Sequence, residues 1–378
     1  MKNIFISAGE ISGDVHAATV VAEIRQRFPD MQVHGLAGTQ MVEAGCHMLC
    51  DMHELNVMGL TDVFRALPRI RRIEQSALSW CKEHQPAVAV LVDFSSFHMR
   101  LGRKLRAMGI PVLHFIAPKL WAWGAWRVSR LKKSQDRLAC ILPFEPEWFS
   151  KRGIKATYVG NPSVQTCMGG WSREELKNRL GVGADMQLLA LLPGSRPQEL
   201  KAHVAVLTEV WKQIHQEISN IACVVPVAPG IQMGQLQPLW DVGAIPLLRT
   251  EADFALRADA AVAVSGTATL ELALWNVPSV LIYRASPLMA FMARRLVKLN
   301  CAGLANIILG DRPVMPELIQ EACTVDAIVS EVLPLLQDAE RVQAQCNQFS
   351  LLQTSMGDAV AAAGVVDIMT DMINKKSS

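Results

Sequence analysis

Several short stretches of this chain combine residue types that can do chemistry. The most informative is Ser265-Gly266-Thr267-Ala268-Thr269-Leu270-Glu271. It follows the apolar run Ala260 to Val264 and leads into helical Leu272 to Trp275, with Val277 to Tyr283 as the next strand. The stretch therefore sits on a strand-to-helix turn inside a βαβ unit. Gly266 lets the backbone approach a ligand closely, and the free N–H groups of Thr267, Ala268 and Thr269 favour a phosphate through hydrogen bonds and the helix macrodipole. Glu271, one turn further in, can accept hydrogen bonds from a ribose diol. An ordinary capped crossover fits the same spacing equally well.

Other stretches add charge at strand ends. Ala87 to Val92 is a buried strand ending in Asp93, on the edge where α/β sheets bind ligands. Capping of the helix opened by Phe94-Ser95-Ser96-Phe97 is the plainer role for that carboxylate. Gly9-Glu10-Ile11-Ser12-Gly13-Asp14 forms the turn between a first strand, Lys2 to Ala8, and a first helix, Val15 to Phe28. It lacks the full Gly-x-Gly-x-x-Gly fingerprint. Pro193-Gly194-Ser195-Arg196 follows the strand Leu188 to Leu192 and carries a lone arginine. No Asp-x-Asp occurs, so a metal-chelated diphosphate is not implied. Arginine and backbone N–H groups remain to meet the charge of a leaving diphosphate, the logic of a metal-independent glycosyl transfer from a nucleotide sugar.

These turns need two α/β halves to hold them. A chain of 378 residues exceeds one core. The rhythm gives an N-terminal α/β domain over 1–168, a C-terminal α/β domain over 169–345 and a terminal helix over 346–378, with the halves expected to face a cleft. Ser172-Arg173-Glu174-Glu175 is a capping box that opens the second half. Net charge is only +2, which argues against general nucleic-acid binding. The nine cysteines are odd in number and scattered, as in a reduced cytosolic protein. Met1-Lys2-Asn3 leads straight into a strand, so no signal peptide is expected.

One segment suggests a surface role. Val57 to Ile73 alternates apolar bulk with arginine. Val63, Phe64, Leu67 and Ile70 with Arg65, Arg69, Arg71 and Arg72 suit a membrane surface; a core-facing helix with a solvated basic face is the alternative. Pro68 is expected to interrupt any single helix there. Trp121, Trp123 and Trp126 beside Arg127, Arg130, Lys132 and Lys133 suggest a second amphipathic rim, and Pro287 to Leu299 a basic helix.

Taken together and in order, Ala8 to Asp14, Val57-Met58-Gly59, Pro118 with Leu120-Trp121-Ala122-Trp123, Leu142-Pro143-Phe144-Glu145, Leu191 to Arg196 and Ser265 to Glu271 resemble the signatures of the lipid-A-disaccharide synthase family. The resemblance implies two Rossmann-like domains of GT-B type, with C-terminal helices packing back or exchanged between subunits of a homodimer. It implies an inverting, metal-independent glycosyltransferase on the cytoplasmic face of the inner membrane. Such an enzyme joins UDP-2,3-diacylglucosamine to 2,3-diacylglucosamine 1-phosphate and releases UDP, with no cofactor. By position, Asp93 matches the family's essential aspartate, Arg196 and Asn306 its donor-side polar residues, and Ser12 its first-loop serine. Asn306 then serves its own site or a neighbouring subunit's. The chain departs from the family pattern at Ser95-Ser96, where Pro-Asp is usual, and at Ala17, Ala117, Lys119 and Asn161. A UDP-sugar epimerase of the same architecture, or a catalytically inactive relative, is the alternative.

Overall fold

The computed structural model describes residues 3–55, 60–249, 254–286, 290, 295 and 299–377, with the backbone alone for 60–66, 376 and 377. The Val57-Met58-Gly59 motif and most of the basic segment 287–299 lie outside the described residues. The chain forms two units, Met1–Pro162 with Asp358–Ser378, and Ser163–Gly357.

In the first unit the strands β1 (Asn3–Ser7), β2 (Gln32–Ala37), β3 (His47–Asp51), β4 (Val88–Val92), β5 (Val112–Phe115), β6 (Arg137–Cys140) and β7 (Ala156–Tyr158) form one sheet in the order β3-β2-β1-β4-β5-β6-β7. Every pairing is parallel. Parallel strands need crossovers that cover both faces, so their side chains are apolar on both sides. Ile4, Ile6, Val88, Val90 and Val92 pack on one face against Ala17, Val20, Val21 and Ile24 of the helix Ile11–Arg27. Phe5, Ala89 and Leu91 pack on the other against Ile73, Ala77, Leu101 and Leu105. Strand order reverses direction between β1 and β4, which makes a topological switch point where the chains leaving those two strands diverge.

The second unit repeats this plan. Strands β8 (Gln187–Leu192), β9 (Ile221–Val227), β10 (Ile245–Leu248), β11 (Ala260–Val264), β12 (Ser279–Tyr283) and β13 (Glu317–Ile319) form a sheet in the order β10-β9-β8-β11-β12-β13, again all parallel. Its switch point lies between β8 and β11. The helices Thr267–Leu274 and Ala339–Met356 cover one face, and Pro197–Glu217 and Val325–Gln337 the other.

Several elements differ from the sequence expectation. The first helix begins at Ile11, so Ser12, Gly13 and Asp14 lie on its first turn and not in a loop. Pro68 does not divide its segment: one helix runs Leu60–His84 through it. The proline is exposed, so water can serve the carbonyl that its ring leaves without a partner. Residues 346–378 hold the end of one helix and all of another, Ala361–Ser377. That last helix returns to the first sheet, where Val365, Val366 and Met369 are fully buried. The return is tight at Gly160, which has φ +94° and where a Cβ would lie 2.0 Å from the carbonyl oxygen of Ala359. Only glycine meets both demands. All nine cysteines are free thiols.

Candidate functional site

Each switch point carries a cavity. In the first unit a cavity of about 360 Å³ is lined by Glu10, Asp93, Ser95, Ser96, Lys119 and Arg127, among others. Asp93 and Phe94 both have left-handed backbone, φ +51° and +42°. For non-glycine residues that costs roughly 1–3 kcal/mol each and persists only where surroundings enforce it. Here they do. The Asp93 amide donates to the Phe115 carbonyl at 2.8 Å. The His98 Nδ1 lies 2.7 Å from the Asp93 carbonyl, which can only accept, so Nδ1 carries the proton. Neutral His98 then accepts at Nε2 from the Ser7 hydroxyl, 2.9 Å away. Burial lowers the His98 pKa to about 4, which keeps it neutral. The Phe94 ring fills the space over Gly9, where a Cβ would sit 2.3 Å from it. The first-loop glycine thus makes room for the turn that presents Asp93.

The Asp93 carboxyl is held above the usual aspartate range. Burial is the main cause; a hydrogen bond from the Phe94 backbone and the Lys119 ammonium act against it. The N-cap of the following helix is Phe94, and Asp93 lies one residue before it.

The other first-loop residues divide. Glu10 lines the Asp93 cavity and Ser12 is exposed on the adjoining helical turn, while Gly13 is buried against Ala8 and Val92. Asp14 turns away from the cavity: its buried carboxylate accepts from the amides of Gly38 and Gln40, both at 2.9 Å, and Met41 at 3.3 Å. It caps the short helix Thr39–Glu43 and holds the β2 exit. The Trp121 and Glu145 signatures meet one another. The Trp121 indole N–H and the Leu142 amide donate to Glu145, at 2.9 and 3.1 Å, and burial lifts this glutamate to about 7.

Of the proposed membrane segment, Val63, Phe64 and Arg65 have side chains outside the described residues. Arg69, Arg71 and Arg72 are exposed, with Arg72 pairing to Glu54 at 3.1 Å. Leu67 is half-buried, and Ile70 packs against the first unit's core, so the stripe turns inward at its C-terminal end.

In the second unit a cavity of about 230 Å³ gathers Arg196, Ser265, Gly266, Thr267 and Ala268 with Arg249. Gly194 and Ser265 follow β8 and β11, so this is the second switch point. Arg196 is largely exposed and makes a 3.5 Å contact with Glu199. The Glu199 carboxylate is occupied by the Ser195 and Arg196 amides, at 2.9 and 3.2 Å, which shapes the loop. Gly266 is exposed and extended, and a Cβ there meets nothing closer than 4.0 Å. Glu271 does not line the cavity directly. It is buried and pairs at 2.8 Å with Arg249, which does.

Asn306 is fully buried with its amide satisfied. It donates to Met315 O and Glu317 Oε1 at 2.9 and 2.7 Å and accepts from Met315 N at 2.8 Å. Glu317 in turn accepts from the amides of Ala302 and Gly303, and the Ser265 hydroxyl donates to the Ala302 carbonyl at 3.2 Å. In this chain Asn306 thus braces the loop beside Ser265. Sequence reasoning missed His98, Arg249 and Glu199. None stands in a motif; their roles depend on partners or walls supplied by other elements.

The geometry fits nucleotide-sugar chemistry, and similarity decides the family. The family model for lipid-A-disaccharide synthetase matches residues 4–362. The chain belongs to this family. Its members are glycosyltransferases that make the lipid A disaccharide, and this family member does the same. The lipid-A-disaccharide synthase of Myxococcus xanthus is 37% identical over 87% of this chain and 86% of its own. That of Nitrosococcus oceani is 36% identical over 94% and 92%. Among solved structures the fold resembles a calicheamicin glycosyltransferase, with TM-score 0.60, 15% identity and full coverage of both chains. It also resembles a UDP-GlcNAc 2-epimerase from Neisseria meningitidis bound to UDP-GlcNAc, with TM-score 0.63, 12% identity and coverage of 98% and 100%. Both likenesses concern the fold alone, which is of GT-B type. The epimerase likeness shows why architecture could not separate the two activities.

Proposed function

We propose that Asp93 is the general base of an inverting transfer from UDP-2,3-diacylglucosamine to 2,3-diacylglucosamine 1-phosphate. The observation that carries this is a carboxylate on a strained turn at the switch point, its pKa raised by burial. A carboxylate so raised is a better proton acceptor near neutrality than an ordinary one. It takes the proton of the acceptor's 6-hydroxyl as that oxygen attacks C1 of the donor. The new O6–C1 bond forms on the face opposite the breaking C1–O(phosphate) bond, and UDP carries off the electron pair. His98 acts through the Asp93 carbonyl as a positioning residue.

The second-unit cavity is the donor half-site in this reading. Arg196 and the amides of Gly266, Thr267 and Ala268 meet the diphosphate, and Arg249, oriented by Glu271, adds a second cation. Glu271 thus supports the donor through Arg249; a direct bond to the ribose needs that pair to part. The exposed Arg69, Arg71 and Arg72, continuing a segment that carries Val63, Phe64 and Leu67, rest on the anionic inner-membrane surface from which both lipids come. No described helix is long and apolar enough to cross a membrane.

The direct test is mass spectrometry of purified protein with both lipids in detergent. The disaccharide 1-phosphate should form with one UDP per product. UDP-sugar altered at C2 without any acceptor favours the epimerase reading. Asp93→Asn should lose roughly 10²–10⁴-fold in kcat; near-normal turnover removes Asp93 from the chemistry.

For the donor half-site, calorimetric titration with UDP should show weaker binding for both Arg196→Ala and Arg249→Ala. Glu271→Gln should follow Arg249→Ala in direction, because it frees the arginine it holds. Unchanged affinity in all three rules this cavity out.

For the membrane contact, Leu67→Ser with Arg69→Gln and Arg71→Gln should reduce flotation with anionic vesicles. Each arginine near such a surface is worth ~1 kcal/mol, screened by salt. Turnover in micelles should survive. Undiminished flotation of the folded variant moves the contact elsewhere.

A further inference from the structure

Next to the Asp93 cavity lies a second groove, of about 480 Å³, which no part of the proposed reaction has yet used. It runs between the helices Ser95–Ala107 and Val128–Ser134. Arg100, Arg103, Arg127, Arg130 and Lys133 line it, and among the described residues no carboxylate does. Ser96 and Arg127 line both this groove and the Asp93 cavity, so the two spaces share a wall.

The charge in this groove is poorly compensated. Arg103, Arg130 and Lys133 are exposed, and their side chains make no ion pair with any described residue. Arg127 lies over the Trp123 ring, 5.5 Å from its centre. Arg100 gives its Nε to Glu74 at 2.9 Å but leaves one buried Nη without a hydrogen-bond partner among the described residues. The neighbouring bases outside the groove are differently placed: Lys104 shares Glu74 and Arg106 pairs with Asp136. Cations gathered this closely repel one another, and a buried guanidinium donor without a partner is costly. An anion relieves both. Arginine forks match phosphate oxygens in pairs, and a phosphomonoester brings close to two negative charges and three acceptor oxygens at neutral pH.

We infer that this groove holds the phosphomonoester of the acceptor sugar while Asp93 faces the sugar's hydroxyl. The inference rests on the proposed reaction. The acceptor's phosphate is borne by C1 and its reacting oxygen by C6 on C5, two ring carbons (C1 and C5) separated by the ring oxygen, so the phosphate subsite must adjoin the base without coinciding with it. Two cavities with a common wall of Ser96 and Arg127 meet that condition. Ser96, at one of the departures from the family pattern, puts a small uncharged side chain in that common wall.

The same chemistry suits the phosphate of an anionic lipid headgroup, so the test runs in neutral detergent micelles, without anionic lipid. The variant Arg103→Gln, Arg130→Gln, Lys133→Gln leaves the residues of both catalytic half-sites in place. Its KM for the phosphorylated acceptor should rise at least tenfold, with UDP affinity unchanged. With acceptor lacking the 1-phosphate, wild type should fall to the level of the variant and the variant should change little. Should the triple variant misfold, Arg130→Gln and Arg130→Lys are compared instead: the lysine form should recover part of the loss in KM. Absence of turnover by the wild-type protein defeats the proposed reaction itself. Normal wild-type turnover with an unchanged acceptor KM in the folded variants overturns only the phosphate subsite. If that unchanged KM comes with reduced binding to anionic vesicles, the groove serves a headgroup and the inference fails.

Discussion

Parallel pairing governs where polar groups can stand in this protein. A parallel strand is covered by helices on both faces, so its side chains are mostly apolar, as in β4 and β11, where every residue is buried. Hydrogen-bonding and charged groups are displaced to the strand ends. Crossovers that depart in opposite directions leave an opening at one edge of each sheet. In the first unit it falls between β1 and β4, and in the second between β8 and β11. Asp93, Arg196 and the Ser265 to Ala268 turn stand at those openings.

Within the openings, polar residues that look alike in sequence do two different jobs. Asp14, Glu199, Asn306 and Glu317 spend their hydrogen-bonding capacity on backbone amides and carbonyls of the surrounding loops. They are framework. Asp93, Arg196 and the cations of the basic groove keep groups free to meet a ligand. Arg249 stands between the two classes, lining a cavity while paired to Glu271. The framework residues make the free ones useful: His98 fixes the strained turn under Asp93, and the Asn306–Glu317 pair steadies the loop that touches Ser265.

Much of this was legible in the chain because it is local. The run Ala260 to Val264 followed by Ser265-Gly266-Thr267 reads as strand, turn and helix from neighbouring residues alone. Asp93 is visible as the first carboxylate after an apolar strand. What escaped sequence reading depends on distant partners. Nothing near Asp14 announces that amides at positions 38, 40 and 41 will claim it, and nothing near Glu271 announces Arg249. The sequence places the helix start at Val15 because Gly13 breaks the apolar pattern, whereas the helix already runs through Gly13 from Ile11. Pro68 predicts a break because the rule for proline is local, whereas the helix around it packs into the core through Ile73, Ala77 and Cys81 further along.

The central claim is that burial at the switch point turns Asp93 into the base. The pH dependence of kcat/KM with the purified protein in neutral detergent tests it most directly. The base must be ionised to act, so activity should fall as pH is lowered through the Asp93 pKa. That acidic limb should lie above the ordinary aspartate range and should be absent from the residual activity of Asp93→Asn. A limb within the ordinary aspartate range, or one that persists unchanged in Asp93→Asn, contradicts the account.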